Sequence, residues 1–530
     1  MRIGSGAGTG AFSSSQAIAI PIVLFGVFLG YLSVTSILGG NFNQLVLVAL
    51  GFCGLLVVLA IVRNWRNGLY IFLAWLLFED LFRKYLGNNM AIYFGKDVLV
   101  ALVYLSFLAA VRRKEVQVFR FPFFRTLSIF IWFGVLQMFN FASGSVVFGL
   151  LGLKLYFYYV PLLFIGYALF ESEADLRRFF SFNTMLVLAI GGLGIAQSIL
   201  GPTFLNPAVL GEDIRGLSTL YRIAPLSGAL AYRPNSVFVS TGRFADYMIL
   251  SAMIGFGYAA YLLLRHRKGR TLAFAGLTVA TAAAIMTTSR GAFLWTLGSL
   301  FLGAVAFLWG APWRQGEVIR TLRTLQRTAL LAGLALGGIL LSYPEALLSR
   351  LAVYSETLSP SSSASELTHR AWDYPLHNFL MAFDYPRWPY GYGIGTASLG
   401  LQYISRILHI PAMGIGVESG YGNIVVELGI VGLLLWIVWT TALVLSAWGV
   451  VRKLRGSPWF PLAFMIFWYS FLLLFPMTFT SFVAYQDFVL NAYLWLLVGI
   501  LFRLPQMAQA AGMQAAAVKS VVQPARPWRF

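Results

Sequence analysis

The chain has 530 residues, 59% of them hydrophobic and 11% charged, with a mean hydropathy of +0.77 and a formal net charge of +19. Soluble domains are about 45–50% apolar and about 25% charged, and their surface must be covered by polar groups. This composition excludes a soluble multidomain enzyme and a disordered chain. Its long continuous apolar runs favour helices over the alternating pattern of a β-barrel.

The predicted fold class is therefore all-α, a polytopic integral membrane protein of about 14 transmembrane helices with a large extracytoplasmic loop. Arg2 precedes a Gly/Ser-rich stretch and an apolar run at 17–39, expected to be a retained first helix rather than a cleaved signal. Further runs fall at 43–62, 124–143, 145–170, 178–201, 244–264, 271–288, 291–310, 328–343, 423–449, 459–478 and 485–503. Two shorter runs, 68–82 and 97–111, lie between basic clusters at Arg63/Arg66 and Arg112/Arg113/Lys114. Both clusters belong in the cytoplasm, so this pair is expected to cross twice.

With the N-terminus inside, the predicted inner segments hold 25 of the 38 Lys and Arg residues. The opposite orientation violates the positive-inside rule, which also accounts for the net charge without nucleic acid as a partner. The chain then divides into N-terminal helices (1–201), a region with an outer loop and a Ser-Arg-Gly turn (202–343), a large outer loop (344–422), C-terminal helices (423–504) and a cytoplasmic tail (505–530). The single cysteine, Cys53, rules out an internal disulfide and argues against Cys-based metal sites.

Thirteen basic residues remain outside, among them Arg215, Arg222, Arg233, Arg243, Arg290, Arg370, Arg387 and Arg406. Snorkelling anchors account for Arg83, Lys84 and Arg350. An anionic ligand is expected to account for others, since arginine grips phosphate through two donors at once. Arg290 sits in Thr287-Thr-Ser-Arg-Gly-Ala-Phe293, joining two spans with almost no loop, and must face a wet cavity or a partner. Arg233 and Arg243 bracket a polar turn that enters the span 244–264, where Asp246 is expected to pair with Arg243 or Arg290. Ser359–Ser365 reads as a flexible stretch, followed by an amphipathic helix over 366–383 that carries Arg370 and Trp372.

Gly391, Gly393 and Gly395 alternate in a run that permits an anion-binding backbone nest or a plain turn. Glu418 and Glu427 open the span 423–449. Glu418, the more external, is the candidate base, and Glu427 is placed to hold an arginine or another polar group inside the bundle. His266 lies in an inner loop and His369, His377 and His409 in the outer loop, at spacings that suggest no metal site. No Walker loop, nucleotide fingerprint or paired-aspartate motif appears, so no metal or cofactor is expected.

In their order, these residues resemble the bacterial O-antigen ligase and O-antigen polymerase (Wzy-type) superfamily. The matching features are the arginine-led turn 233–247, the turn Ser289–Gly291, the outer loop with Arg370 and Trp372 followed by Gly391–Gly395, and the segment from Glu418 to Gly432. The resemblance covers 233–434 and reaches the earlier spans only by pattern. Ligases of the superfamily carry His-Asn where this chain has Glu418-Ser419, which favours a polymerase.

The resemblance implies polymerisation of oligosaccharides carried on undecaprenyl diphosphate, at the outer face of a bacterial inner membrane. Arg233, Arg290 and Arg370 would hold the diphosphate and Glu418 would be the base. Arg243, Trp372, Tyr392 and Glu427 join the candidate substrate residues. The outer aromatics Trp372, Tyr374, Trp388, Tyr390 and Tyr392 suit sugar stacking and an interfacial belt equally. A flippase and a chain-length regulator would be its partners, beside membrane lipid. A ligase, and a transporter or flippase of lipid-linked glycan, are the alternatives.

Overall fold

The computed structural model describes residues 42–86, 90–207, 215–216, 219–265, 268–312, 326, 338, 342–411 and 414–522. The expected span 17–39, most of the expected span 328–343 and the inner segment 313–325 lie outside these. Every other expected span overlaps a helix, but those at 43–62, 68–82, 124–143 and 271–288 are not among the helices long and apolar enough to cross. Eight helices among the described residues are long and apolar enough to cross a membrane.

The chain forms two compact units. One comprises residues up to Trp75 and Phe94–Glu115; the other comprises Leu76–Tyr93 and the chain from Val116. Helices α1 (Phe42–Arg63) and α3 (Met90–Arg112), with the first half of α2 (Trp65–Tyr85), build the first unit. Within it Trp65 packs edge-on against Phe107, and Ser106 Oγ donates to Ile61 O at 2.8 Å.

The second unit holds α4 (Phe124–Gln137), α5 (Val146–Phe157), α6 (Leu162–Ala168) and α7 (Glu173–Leu200). A short antiparallel hairpin follows, β1 (Tyr221–Ile223) and β2 (Leu230–Tyr232), with Ile223 opposite Leu230 and Arg222 opposite Ala231. Then come α8 (Thr241–Arg265), α9 (Arg270–Met286), α10 (Arg290–Gly310) and α11 (Pro344–Leu358). The segment 366–383 is helical as expected but composite: a π turn at His369–Asp373 leads into α12 (Tyr374–Leu380). It is followed by α13 (Leu401–Leu408), α14 (Gly420–Lys453), α15 (Phe460–Leu472) and α16 (Phe488–Val522).

Polar contacts sort the helix ends of this unit into two sets. At one, Arg265 pairs with Glu173 at 3.1 Å, Arg503 Nε donates to Phe170 O at 3.2 Å and Gly456 N to Gly310 O at 2.8 Å. At the other, Arg350 Nε donates to Met286 O at 3.0 Å, and Arg243 joins Asp80 and Asp487. Arg265, Arg455 and Arg503 lie at the first set.

Three outer cations were expected to be headgroup anchors, and the structure corrects this. Arg350 is 2% exposed and donates to the carbonyls of Met286, Tyr232 and Ser198. Lys84 is 1% exposed and donates to Ser236 O at 2.7 Å. Arg83 pairs with Asp80 at 2.9 Å. Lys84 and Arg350 satisfy loop and helix-end carbonyls that would otherwise be orphaned away from water, and Arg83 serves the buried Asp80 carboxylate.

Helix α14 is broken at Gly429, which has φ 73°. The break frees backbone groups, and the loop 389–393 satisfies them. Tyr392 N donates to Val426 O and Gly393 N to Glu427 O, both at 2.8 Å, while Ile430 N donates to Pro389 O at 3.3 Å. Irregular backbone inside a membrane protein persists where protein groups re-satisfy it.

Candidate functional site

Arg290 begins α10 directly after a short turn. Ser289 caps the helix by accepting from Ala292 N at 3.4 Å. Thr288 just before it has φ 53°, costly for a β-branched residue and maintained only where the surroundings determine it. A cation at a helix N-terminus opposes the dipole, so an anion is needed beside it. Glu366 supplies one: Arg290 Nη1 lies 2.5 Å from Glu366 Oε2. The contact is a close ion pair between the guanidinium and the carboxylate.

The same Glu366 oxygen accepts from Arg370 Nε at 3.2 Å. Burial pushes the Glu366 carboxyl up, but hydrogen bonds from Arg290 and Arg370 outweigh it and hold the group below its ordinary value. Arg370 rides on the π turn, its guanidinium 4.8 Å from the Tyr374 ring centroid. Such turns recur at functional sites. Tyr374 Oη donates to Glu418 Oε2 at 2.6 Å, and this bond raises the phenol above its ordinary value. Glu418 is exposed, immediately before Ser419, the N-cap of α14. A continuous chain of contacts therefore runs Arg290, Glu366, Arg370, Tyr374, Glu418.

Two further arginines face this chain. Arg222 points inward from β1, and burial and then the charges of Arg290 and Arg233 push it down to about 10. It stays protonated at neutral pH. Arg233 follows β2; burial lowers its guanidinium, with Arg290 adding to the effect. Neither forms an ion pair among the described residues, and Arg233 Nε is a buried donor without an acceptor. Two guanidiniums thus share the Glu366 carboxylate, and Arg222 and Arg233 add two more positive charges that the Arg290 charge reaches. That excess, with the orphaned Arg233 donor, is the electrostatic form of an anion site.

The loop carrying Arg233 is held from behind. Gln197 Oε1 accepts from Asn235 N at 2.9 Å and from Ser236 N at 2.7 Å, and Lys84 takes Ser236 O. Asp80 accepts from Val239 N at 3.2 Å and pairs with Arg243.

Three expected substrate groups, and the expected structural pairing of Asp246, turn out differently. Arg243 is occupied by Asp80 and Asp487, with its guanidinium 4.1 Å over Phe488, and is a structural residue. Asp246 makes no ion pair with Arg243 or Arg290 among the described residues. Glu427 is wholly buried and accepts from Tyr156 Oη, Ala397 N and Ser398 Oγ, each at 2.8 Å. Of its two expected roles, holding a polar group inside the bundle is the one observed. Tyr392 is buried with its backbone in the α14 break and offers no stacking face.

Nor do the glycines form an anion nest. A Cβ on Gly391 would lie 2.4 Å from Glu427 O, and one on Gly395 1.9 Å from Phe148 O. Together with Gly393, packed on Gln137 O, they let the loop approach helix backbones. Trp372 is 61% exposed beside Arg370, as a sugar-stacking residue requires.

Sequence reasoning missed Glu366 and Tyr374 as partners and did not single out Arg222. A signal existed for one: Glu366 stands four residues before Arg370, the spacing of a helical ion pair. Among the described residues no group of acidic, histidine or cysteine side chains is arranged to hold a metal. No family model and no curated protein matches this chain.

Proposed function

We propose that the chain is a membrane glycosyltransferase that polymerises undecaprenyl-diphosphate-linked oligosaccharides into a surface polysaccharide, outside the bacterial inner membrane. The observation carrying this reading is the excess of arginine at this site: Arg290 and Arg370 share the Glu366 carboxylate, Arg222 and Arg233 are in electrostatic reach of Arg290, and the contacts continue to Glu418 through Tyr374. The family resemblance supports it.

Four arginines suit a ligand with two phosphates, and Glu366 occupies part of that site as an internal anion. When the diphosphate binds, its oxygens replace the carboxylate. The acceptor hydroxyl then attacks the anomeric carbon of the donor sugar. The new glycosidic bond forms as the bond to the diphosphate breaks, the electron pair leaving with the lipid diphosphate. The arginines stabilise that charge without a metal. Glu418 takes the hydroxyl proton, since an alcohol of high pKa needs a base during attack. Tyr374 orients the carboxylate by donating to one oxygen and leaves the other open.

The test supplies purified protein with an undecaprenyl-diphosphate oligosaccharide. A ladder of longer lipid-linked chains is expected. Unchanged substrate overturns the polymerase, and transfer to an added acceptor without a ladder identifies a ligase.

A further inference from the structure

The hairpin that carries Arg222 has a second face. Arg222 and Ala231, opposite one another, point inward, and Ala231 packs in a small core with Ala224 and Val353. Ile223 and Leu230, the next cross-strand pair, point outward and are each 60% exposed. Tyr221 and the tip residue Leu226 are exposed as well. On α11, Leu348 and Leu351 share a bare apolar face, while Arg350 and Val353 face inward. An apolar surface of this kind in water is costly and marks an interaction site.

The level of these elements is set by three contacts. Arg350, between Leu348 and Leu351 on α11, donates to Ser198 O and Met286 O, in the last turns of the spanning helix α7 and of the apolar helix α9. It also donates to Tyr232 O, at the base of the hairpin. Glu356 fixes the hairpin tip by accepting from Leu226 N at 2.6 Å and Ser227 N at 3.1 Å. Leu200, at the end of α7, is 56% exposed, so the apolar belt of the helices continues to this level. The hairpin and α11 are therefore not a loop raised into water but stand at the rim of the spans.

We propose that the outward face of the hairpin, with the Leu348/Leu351 face of α11, is a bilayer-contacting surface whose occupant is the acyl region of the adjacent lipid leaflet. The same two strands then separate lipid on one face from the arginine cluster on the other. A lipid with an anionic head reaches Arg222 by moving along the bilayer rather than through water.

Spin-label depth measurement tests this in the full chain in nanodiscs of phosphatidylethanolamine and phosphatidylglycerol, without any glycan. Cys53→Ser removes the native thiol. Ile223→Cys, Leu230→Cys and Leu351→Cys then carry a nitroxide one at a time, all at exposed positions that tolerate the change. Oxygen collisions are expected to exceed those with a water-soluble nickel complex at all three, and brominated lipid should quench a fluorophore at the same sites. Nickel collisions exceeding oxygen at 223 and 230 place the face in water and overturn the proposal. Low access to both reagents means another protein surface covers it, and overturns it equally. The readout needs no enzymatic activity, so it stands apart from the fate of the glycosyltransferase reading.

Discussion

At the scale of single residues, Glu418 and Glu427 show how nine positions separate two chemistries. Glu418 is exposed with one bond from Tyr374, free to accept a proton; Glu427 is buried and saturated by three donors. We predict that Glu418→Gln lowers polymer formation by about 10²–10⁴-fold, the usual share of proton transfer, with thermal stability unchanged. Near-normal product from this variant would remove Glu418 as the base. Glu427→Gln should instead destabilise, by about 1–3 kcal/mol, because its amide meets donors it cannot satisfy. Equal thermal midpoints for Glu427→Gln and the parent would contradict that.

The arginines offer a parallel test. Arg290→Lys keeps the charge and loses the planar fork, so turnover should fall by about 10²-fold or more, as for removal of a donor at a developing anion. Arg452→Lys, on an exposed inner turn, should be silent. Glu366→Gln removes the internal anion, and inorganic pyrophosphate should bind the purified protein more tightly in calorimetry. Weaker binding would mean that Glu366 orients the arginines instead. Because its carboxyl is held low in the folded state, its ion pairs contribute stability above the unfolded carboxylate pKa and lose it as pH falls through the folded value. Glu366→Gln should accordingly flatten the acid limb of a stability profile.

At the scale of elements, the break in α14 and the loop 389–393 are one structure in two pieces of chain. Gly429 and Gly391 each have positive φ and a Cβ position within 2.6 Å of the other segment's backbone. Gly391→Ala should therefore cost at least the ~1–3 kcal/mol of a strained backbone, with the clash added. Gly400→Ala, with positive φ but nothing within 4 Å, should cost only the strain. Similar loss in both, measured by thermal unfolding, would show that the close approach is not decisive. The run Gly391–Gly395 was legible as a special backbone, but alternating glycines serve an anion nest and a close backbone contact equally well. The partner, Glu427 O, is thirty-six residues away from Gly391 in sequence and set by packing alone.

At the scale of the whole molecule, the charge rule makes a prediction: the loops rich in arginine and lysine should lie in the cytoplasm. In a Cys53→Ser background, an impermeant thiol reagent should label Ser362→Cys in intact cells and leave Lys453→Cys unlabelled. The reverse pattern would invert the topology. The sequence by itself determined the membrane class and most of the helices, because hydropathy acts through composition over whole segments. It also marked Arg233, Arg290, Arg370 and Glu418, because charges at the ends of apolar runs need a reason. Only the tertiary structure decided which of these cations are consumed by protein partners and which are left in excess. Arg243, Arg350 and Lys84 are as basic as Arg290, but carboxylates and carbonyls from distant segments consume their donors. Pairing of that kind is a property of three-dimensional neighbours, and no local pattern in the chain encodes it.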